Sequence, residues 1–299
     1  MSSQKKTSVW FLGTSAFAVP SLEALLKDDS FGVDLVITQP DRPAGRKQEL
    51  TPSPVKVVAQ KHKLNILQPE NLNEYFKTES VIRNPQPAFL VVVSFGQILS
   101  QQILDIPTIA PINVHASLLP RWRGASPIHH AILVGDTETG VTIQKMAKEL
   151  DAGPVLAQKT LMIDPRETVT TLHEKLAPMG ADLLIRTLKS PLKPVEQDKS
   201  RITVCHKLKR DDGKLDHTSL AAADIDRKVR GLSPWPGVTL IVDKHLLKLL
   251  ETSLEPTMDS AALPCANGTI LHLVRVQPAG GKPMTGAEWM RGKQTRQPK

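Results

Sequence analysis

Aromatic side chains are scarce: six Phe, four Trp and one Tyr make up 4% of 299 residues. That excludes a surface that binds single strands by stacking bases on many rings. Cysteine is nearly absent. Cys205 and Cys265 lie far apart, no Cys-x-x-Cys occurs, and no zinc-site spacing can be built. A reducing compartment is the simpler reading. No apolar run approaches the roughly 18 residues that span a bilayer. The apolar stretch that stops at Gly13 is too short for a secretory signal. These absences predict a cytoplasmic protein with no membrane partner. Phosphate-cradling glycine loops are missing as well. A dinucleotide site wants Gly-x-Gly-x-x-Gly after its first strand, and this chain has Gly13-Thr-Ser-Ala-Phe-Ala. NAD and FAD are excluded on that ground, and no P-loop pattern is present.

What is present is ordinary for a globular chain: 40% hydrophobic and 23% charged residues, with 24 prolines to mark element ends. The net charge is +8, and it is uneven. Residues 201–299 carry 16 Lys+Arg against 10 Asp+Glu, leaving only +2 for residues 1–200. A basic C-terminal third fits an accessory surface for a polyanion, although charge of this size also serves solubility alone.

Apolar runs alternate with helical patterns along the first part of the chain. Strands are predicted at 9–12, 33–38, 88–93, 112–115, 141–146 and 155–163. The run at 88–93 is continuous and β-branched, as expected of a parallel strand covered on both faces. Helices are predicted at 54–62, with Pro at its start, at 97–104, from Ser126-Pro127 to about 134, and from Thr168 onward. This alternation implies an α/β fold: a Rossmann-like, mostly parallel open sheet with helices on both faces, ligands binding beyond the carboxyl ends of its strands. Residues 190–200, polar and with two prolines, read as a linker. Beyond it a strand at 202–206, a helix at 220–230 and short strands at 238–242, 246–250 and 269–277 predict a smaller β-rich domain resembling an OB-like barrel. The expected division is therefore 1–189, a linker at 190–200, and 201–299.

The chemistry concentrates between residues 112 and 153. Asn113 and His115 are two apart on a strand, so both point to one face. An amide donor beside an imidazole can hold an oxyanion and move a proton. Two polar residues satisfied at a loop give the same pattern, and spacing does not separate the readings. Asp151, in Leu150-Asp-Ala-Gly153, is the candidate carboxylate. It is equally an ordinary turn aspartate. His129 and His130 diverge on a helix and read as structural. Lys207, Lys209 and Arg210 fit either a polyanion contact or a solvated face.

The segment Ser117-Leu-Leu-Pro-Arg-Trp-Arg-Gly-Ala-Ser-Pro-Ile, with Gly135-Asp-Thr-Glu-Thr-Gly-Val-Thr-Ile143, closely resembles the signature of the folate-dependent formyltransferases. Thr38-Gln-Pro-Asp-Arg-Pro-Ala-Gly-Arg46, Pro52-Ser-Pro-Val-Lys56, Ser233-Pro-Trp-Pro-Gly237 and Gln277-Pro-Ala-Gly280 resemble the methionyl-tRNA formyltransferase family in particular. The likeness runs from about Val9 to Arg291. It implies an enzyme that carries the formyl group of 10-formyltetrahydrofolate to the amino group of methionyl-initiator tRNA, for translation initiation. By the same likeness Asn113, His115 and Asp151 are the catalytic set. Ser117, Leu118, Leu119 and Pro120 contact the folate. The loop at 40–50, with Arg42 ranked first and then Arg46 and Lys47, reaches the tRNA. No metal is expected, and a monomer is. The rival within the same chemistry is a small-molecule acceptor (an amino sugar or glycinamide ribotide) or hydrolysis of formyl-folate. A rival of another class is a non-catalytic nucleic-acid binder, which would need no Asn/His/Asp set.

Overall fold

A computed structural model describes residues 6–45, 48–78 and 85–294. Strand β1 (Thr7–Gly13) leads through a short 3-10 turn into α1 (Val19–Lys27), whose Leu22 and Leu25 are buried. Strand β2 (Phe31–Ile37) follows, then a small antiparallel hairpin of β3 (Arg42–Ala44) and β4 (Glu49–Thr51). Helix α2 (Pro54–Lys61) starts as its sequence requires. Ser53 caps it by accepting from the Lys56 N–H at 3.0 Å, and Pro54 occupies the first turn, where an N–H is not needed. Next come β5 (Ile66–Leu67), α3 (Leu72–Thr78), β6 (Phe89–Val93), α4 (Gln101–Leu104) and β7 (Ala110–His115). All five residues of β6 are buried, as its unbroken apolar run predicts. Each such Val or Leu contributes about 1.5–3 kcal/mol by leaving water.

Two further strands complete the main sheet after the short β8 (Arg123–Gly124) and α5 (Pro127–Val134). These are β9 (Glu138–Lys145) and β10 (Val155–Met162), and α6 (Val169–Leu188) follows them. The seven strands lie in the order β10-β9-β7-β6-β1-β2-β5. The β5-β2-β1-β6-β7 part is parallel, and β9 runs antiparallel to β7. The predicted α/β sheet is therefore present. Gly13 closes β1 for a packing reason. A Cβ there would meet Phe11 at 2.7 Å and the Ala18 Cβ at 2.9 Å, so a side chain does not fit where the chain turns into the 3-10 segment.

The rest comprises β11 (Val204–Cys205), α7 (Ala222–Leu232), β12 (Val238–Val242), β13 (His245–Ser253), β14 (Ala261–Pro264), β15 (Ile270–Pro278), β16 (Met284–Thr285) and α8 (Gly286–Gln294). The strands from β12 on form one antiparallel sheet, β12-β13-β15-β14 with β16 on β15. Its core draws Ile225, Val229 and Leu232 from one face of α7 together with Leu240, Leu247, Leu249, Leu271 and Leu273. Asp226, 2% exposed, is compensated by Arg166, Arg230 and the Thr252 hydroxyl.

Several local expectations need correction. The helix predicted at 97–104 begins only at Gln101, because Gln97 spends its side chain capping the Leu72 N–H at 2.8 Å and the Ser100 N–H bonds to Asn73. The strand predicted at 202–206 is reduced to Val204–Cys205 and pairs with β8 outside the C-terminal sheet. Ser126 makes no side-chain cap. β3, β4, β5, α3, β8, β14, β16 and α8 have no counterpart in the sequence reading, which takes 40–50 as a loop. The chain divides into two compact units, residues 1–124, 139–162 and 173–204 in one, and 125–138, 163–172 and 205–299 in the other. Among the described residues no helix is long and apolar enough to cross a membrane.

Candidate functional site

Asn113 and His115 occupy the carboxyl end of β7, where an open α/β sheet presents its ligands. The loop between β9 and β10 brings Asp151 to them. Its backbone is left-handed, with φ +50°, a conformation that Asp tolerates better than most residues. Asp151 Oδ1 receives the Asn113 Nδ2 at 3.3 Å and the Gln144 Nε2 at 2.9 Å, and lies 3.5 Å from His115 Nδ1. Oδ2 receives the Gly124 N–H at 2.9 Å. The side chains of His115 and Asp151 are only 7% and 8% exposed. The sequence pair and the distant aspartate are thus one cluster, with Asn113 hydrogen-bonded to Asp151 and His115 within 3.5 Å of it.

The imidazole is held from its far side. His115 Nε2 lies 2.9 Å from the Trp122 carbonyl oxygen, which can only accept, so Nε2 carries a proton. That leaves Nδ1 as the ring nitrogen that faces Asp151. Trp122 itself has φ +60°, rare for a bulky residue, and is fixed by its N–H to the Thr203 hydroxyl at 2.8 Å and by the Arg121 guanidinium over its ring. Gln197 ties the surrounding loops together. Its Nε2 donates to the carbonyls of Asp151 and Gly153, and its Oε1 accepts two N–H groups of Arg123.

The stretch predicted to contact a folate lies directly after β7. Ser117 is fully buried and its hydroxyl donates to the Arg121 carbonyl, while the Thr142 hydroxyl donates to Ser117 O and accepts from the Leu119 N–H. Gln158 holds the Leu119 carbonyl at 2.8 Å. Leu118 and Pro120 are partly exposed. Beside Asp151 a cleft is lined by Leu99, Leu104 and Met146, by Ile98 and Leu150 at its lips, and by Gln97 and Gln144. Gln144 is 1% exposed, and its Oε1 has no hydrogen-bond partner among the described residues.

The β3–β4 hairpin carries Arg42, which bonds to Glu70 at 2.5 Å. At its base Asp41 is bound by Lys56 at 2.6 Å and Gln68 at 2.9 Å. First the lysine and then the amide hold its carboxyl below the usual carboxylate range. Arg46 and Lys47 lie outside the described residues. Residues that sequence reasoning missed are Gln144, Gln197 and the main-chain groups of Trp122 and Gly124. Their only sequence signal is position: Gln144 lies seven residues before Asp151, on the strand that pairs with β7.

The formyl transferase family model matches residues 5–188, and its C-terminal domain model matches residues 207–294. Methionyl-tRNA formyltransferases of Bdellovibrio bacteriovorus and Geobacillus sp. are 42% and 40% identical to the chain. The first match covers 96% of both chains, and the second 95% of this chain and 94% of its relative. The chain belongs to the methionyl-tRNA formyltransferase family. It is a formyl-transferring enzyme, and the α/β sheet and antiparallel C-terminal sheet are those of the family. Solved structures share the fold at lower identity. The N-formyltransferase of Helicobacter canadensis, in complex with folinic acid and dTDP-3-aminofucose, superposes with a TM-score of 0.64 at 17% identity, over 90% of this chain and 99% of that one. HypX of Aquifex aeolicus with tetrahydrofolic acid gives 0.62 at 13% identity over 96% of this chain, which spans about half (47%) of HypX.

Proposed function

We propose that this chain moves the formyl group of 10-formyltetrahydrofolate onto the α-amino group of methionine esterified to initiator tRNA. The observation that carries the reading is the buried Asn113–His115–Asp151 cluster at the carboxyl end of β7, in a chain similar over nearly its whole length to enzymes named for that acceptor. The residues beside the cluster suit a reduced folate. Leu99, Leu104 and Met146 offer apolar walls to a flat ring, and Asp151 offers an acceptor to its N–H groups.

In this reading the amine attacks the formyl carbon and charge grows on the formyl oxygen. The second N–H of the Asn113 amide and the His115 imidazole receive that oxygen. One C–N bond forms, to the amine, and one breaks, to the folate nitrogen. Asp151 takes the proton lost by the amine, directly or through a water. His115 delivers one to the departing nitrogen. Leu118 and Pro120, with the main chain of residues 117–120, border the donor. Arg42, with Arg46 and Lys47, meets the tRNA backbone.

The test is direct. Purified protein, 10-formyltetrahydrofolate and methionyl-initiator tRNA are mixed, with methionyl-elongator tRNA as control, and formylated product is resolved. Formylation of the initiator species alone is the expected result. No product on either tRNA would move the acceptor to a small amine or to water.

A further inference from the structure

The mechanism above leaves one polar group near the cluster without employment. Gln144 sits on β9 directly opposite Asn113 of β7, so the two amides share a face of the sheet. Its Nε2 donates to Asp151 Oδ1 at 2.9 Å, the oxygen that also receives Asn113. Its Oε1 is buried and accepts nothing among the described residues. The amide cannot be turned round to cure this. With its oxygen toward Asp151 it would set one acceptor against another and lose the bond to the carboxylate. Bracing Asp151 therefore fixes which end of Gln144 is left over, and the left-over end is a buried acceptor on a residue that lines the cleft.

A buried acceptor without a donor is costly, so a native site that keeps one is explained most simply by a donor that arrives with the ligand. We infer that Gln144 is a positioning and specificity residue: while Nε2 holds Asp151, Oε1 accepts a hydrogen bond from a ring N–H of the reduced pterin of the formyl donor. This rests on the folate reading of the cleft given above. Binding of the donor and the posture of Asp151 are then coupled through one side chain. A folate whose ring lacks that N–H, or a residue that lacks either end of the amide, breaks the coupling.

Tetrahydrofolate itself, which carries no formyl group and does not react, is the probe. Its Kd is measured by titration calorimetry on wild type, Gln144→Met and Gln144→Glu, alongside kcat and KM for 10-formyltetrahydrofolate and the thermal midpoint. Gln144→Met keeps the volume and removes both polar ends. It is expected to weaken tetrahydrofolate binding by about 5- to 150-fold, the range for one buried hydrogen bond, and to raise KM for the donor. Gln144→Glu keeps the acceptor but sets a second carboxylate against Asp151. Its binding and turnover are expected to recover as pH falls and the pair takes up a shared proton, a pH profile that loss of packing would not create. If Gln144→Met does not fold, the near-isosteric Gln144→Glu carries the test. Wild-type binding with Gln144→Met within twofold of it, or a Gln144→Glu profile that overlays the wild type, overturns the inference and leaves the folate reading intact. Absence of tetrahydrofolate binding by the wild type overturns both.

Discussion

Replacing Asp151 by Asn separates the charge of the carboxylate from its shape. Asp151 is surrounded by donors: Gln144 and Asn113 on Oδ1, and the Gly124 N–H on Oδ2. An amide has one oxygen and one NH2. If the NH2 takes the Oδ1 position it opposes two donors, and if it takes the Oδ2 position it opposes one. The asparagine therefore turns its oxygen to Gln144 and Asn113 and leaves the Gly124 N–H facing an NH2. One hydrogen bond to a charged group is lost, at about 1.5–3 kcal/mol, so the melting midpoint falls while the fold stays. The chemical cost is larger. The amide cannot accept the amine's proton or pair with a charged His115, and loss of one general acid–base group lowers turnover by about 100- to 10,000-fold. The assay is formylation of methionyl-initiator tRNA at saturating donor, with tRNA affinity measured separately by filter binding. Expected are a collapsed kcat and a tRNA Kd within about threefold of wild type. A variant with near-normal kcat, or one that loses tRNA binding while turning over normally, would refute the assignment of Asp151.

Four other substitutions test three separate parts of the structure. Gly153→Ala points a Cβ at the Lys145 carbonyl oxygen, only 1.9 Å away; overpacking of about 1–3 kcal/mol and a displaced Asp151 loop are expected, read as a lower melting midpoint with depressed turnover, and an unaltered variant would contradict the close approach of Gly153 to Lys145. Arg42→Ala is expected to weaken use of tRNA and lower the salt slope of binding by about one. Glu70→Gln, by freeing Arg42 from its exposed partner, should strengthen tRNA binding by up to about fivefold; no change in either variant would remove Arg42 from the tRNA path. Burial lowers the His173 imidazole below its ordinary 6.5, so the folded state resists a proton that the unfolded chain accepts. Stability should therefore decline as pH falls below that value, and His173→Phe, against Phe17, should flatten the thermal-midpoint profile there.

Legibility in the sequence followed the range over which each signal acts. Period and composition are local, so β6, β7, α2 and the run of parallel strands were readable from apolar patterning and from Pro54. The same locality made Asn113 and His115 a recognisable pair, because two residues on one strand share a face whatever else the chain does. Asp151 had no local signal that separates it from a turn aspartate, and entered through the family resemblance. Where a side chain was claimed by a distant partner, local reading failed. Gln97 and Asn73 bond across to neighbouring segments and shorten α4, and Thr203 bonds the Trp122 N–H from 81 residues away.

The support of the site is built almost wholly from such long-range groups, which have a common physical character. Gln144, Gln197, Thr142 and Gln158 are uncharged, and of these only Thr142 stands in a motif, the Gly135–Ile143 segment. Each satisfies main-chain or carboxylate groups that the turn after β7 and the loop before β10 would otherwise bury unpaired. A charged residue in these places would carry a desolvation cost, and a hydroxyl would reach too short a distance to bridge two loops as Gln197 does. An amide offers a donor and an acceptor at the end of a long, neutral arm. The buried glutamines Gln144 and Gln197 are therefore the positions at which a formyl-transferring site of this form is open to quiet adjustment. Substitution there alters how Asp151 is held without touching the reacting atoms. By this reasoning Gln197→Leu, which releases both the Asp151 and Gly153 carbonyls, should lower kcat more than it raises KM for either substrate; the reverse pattern would assign Gln197 to binding.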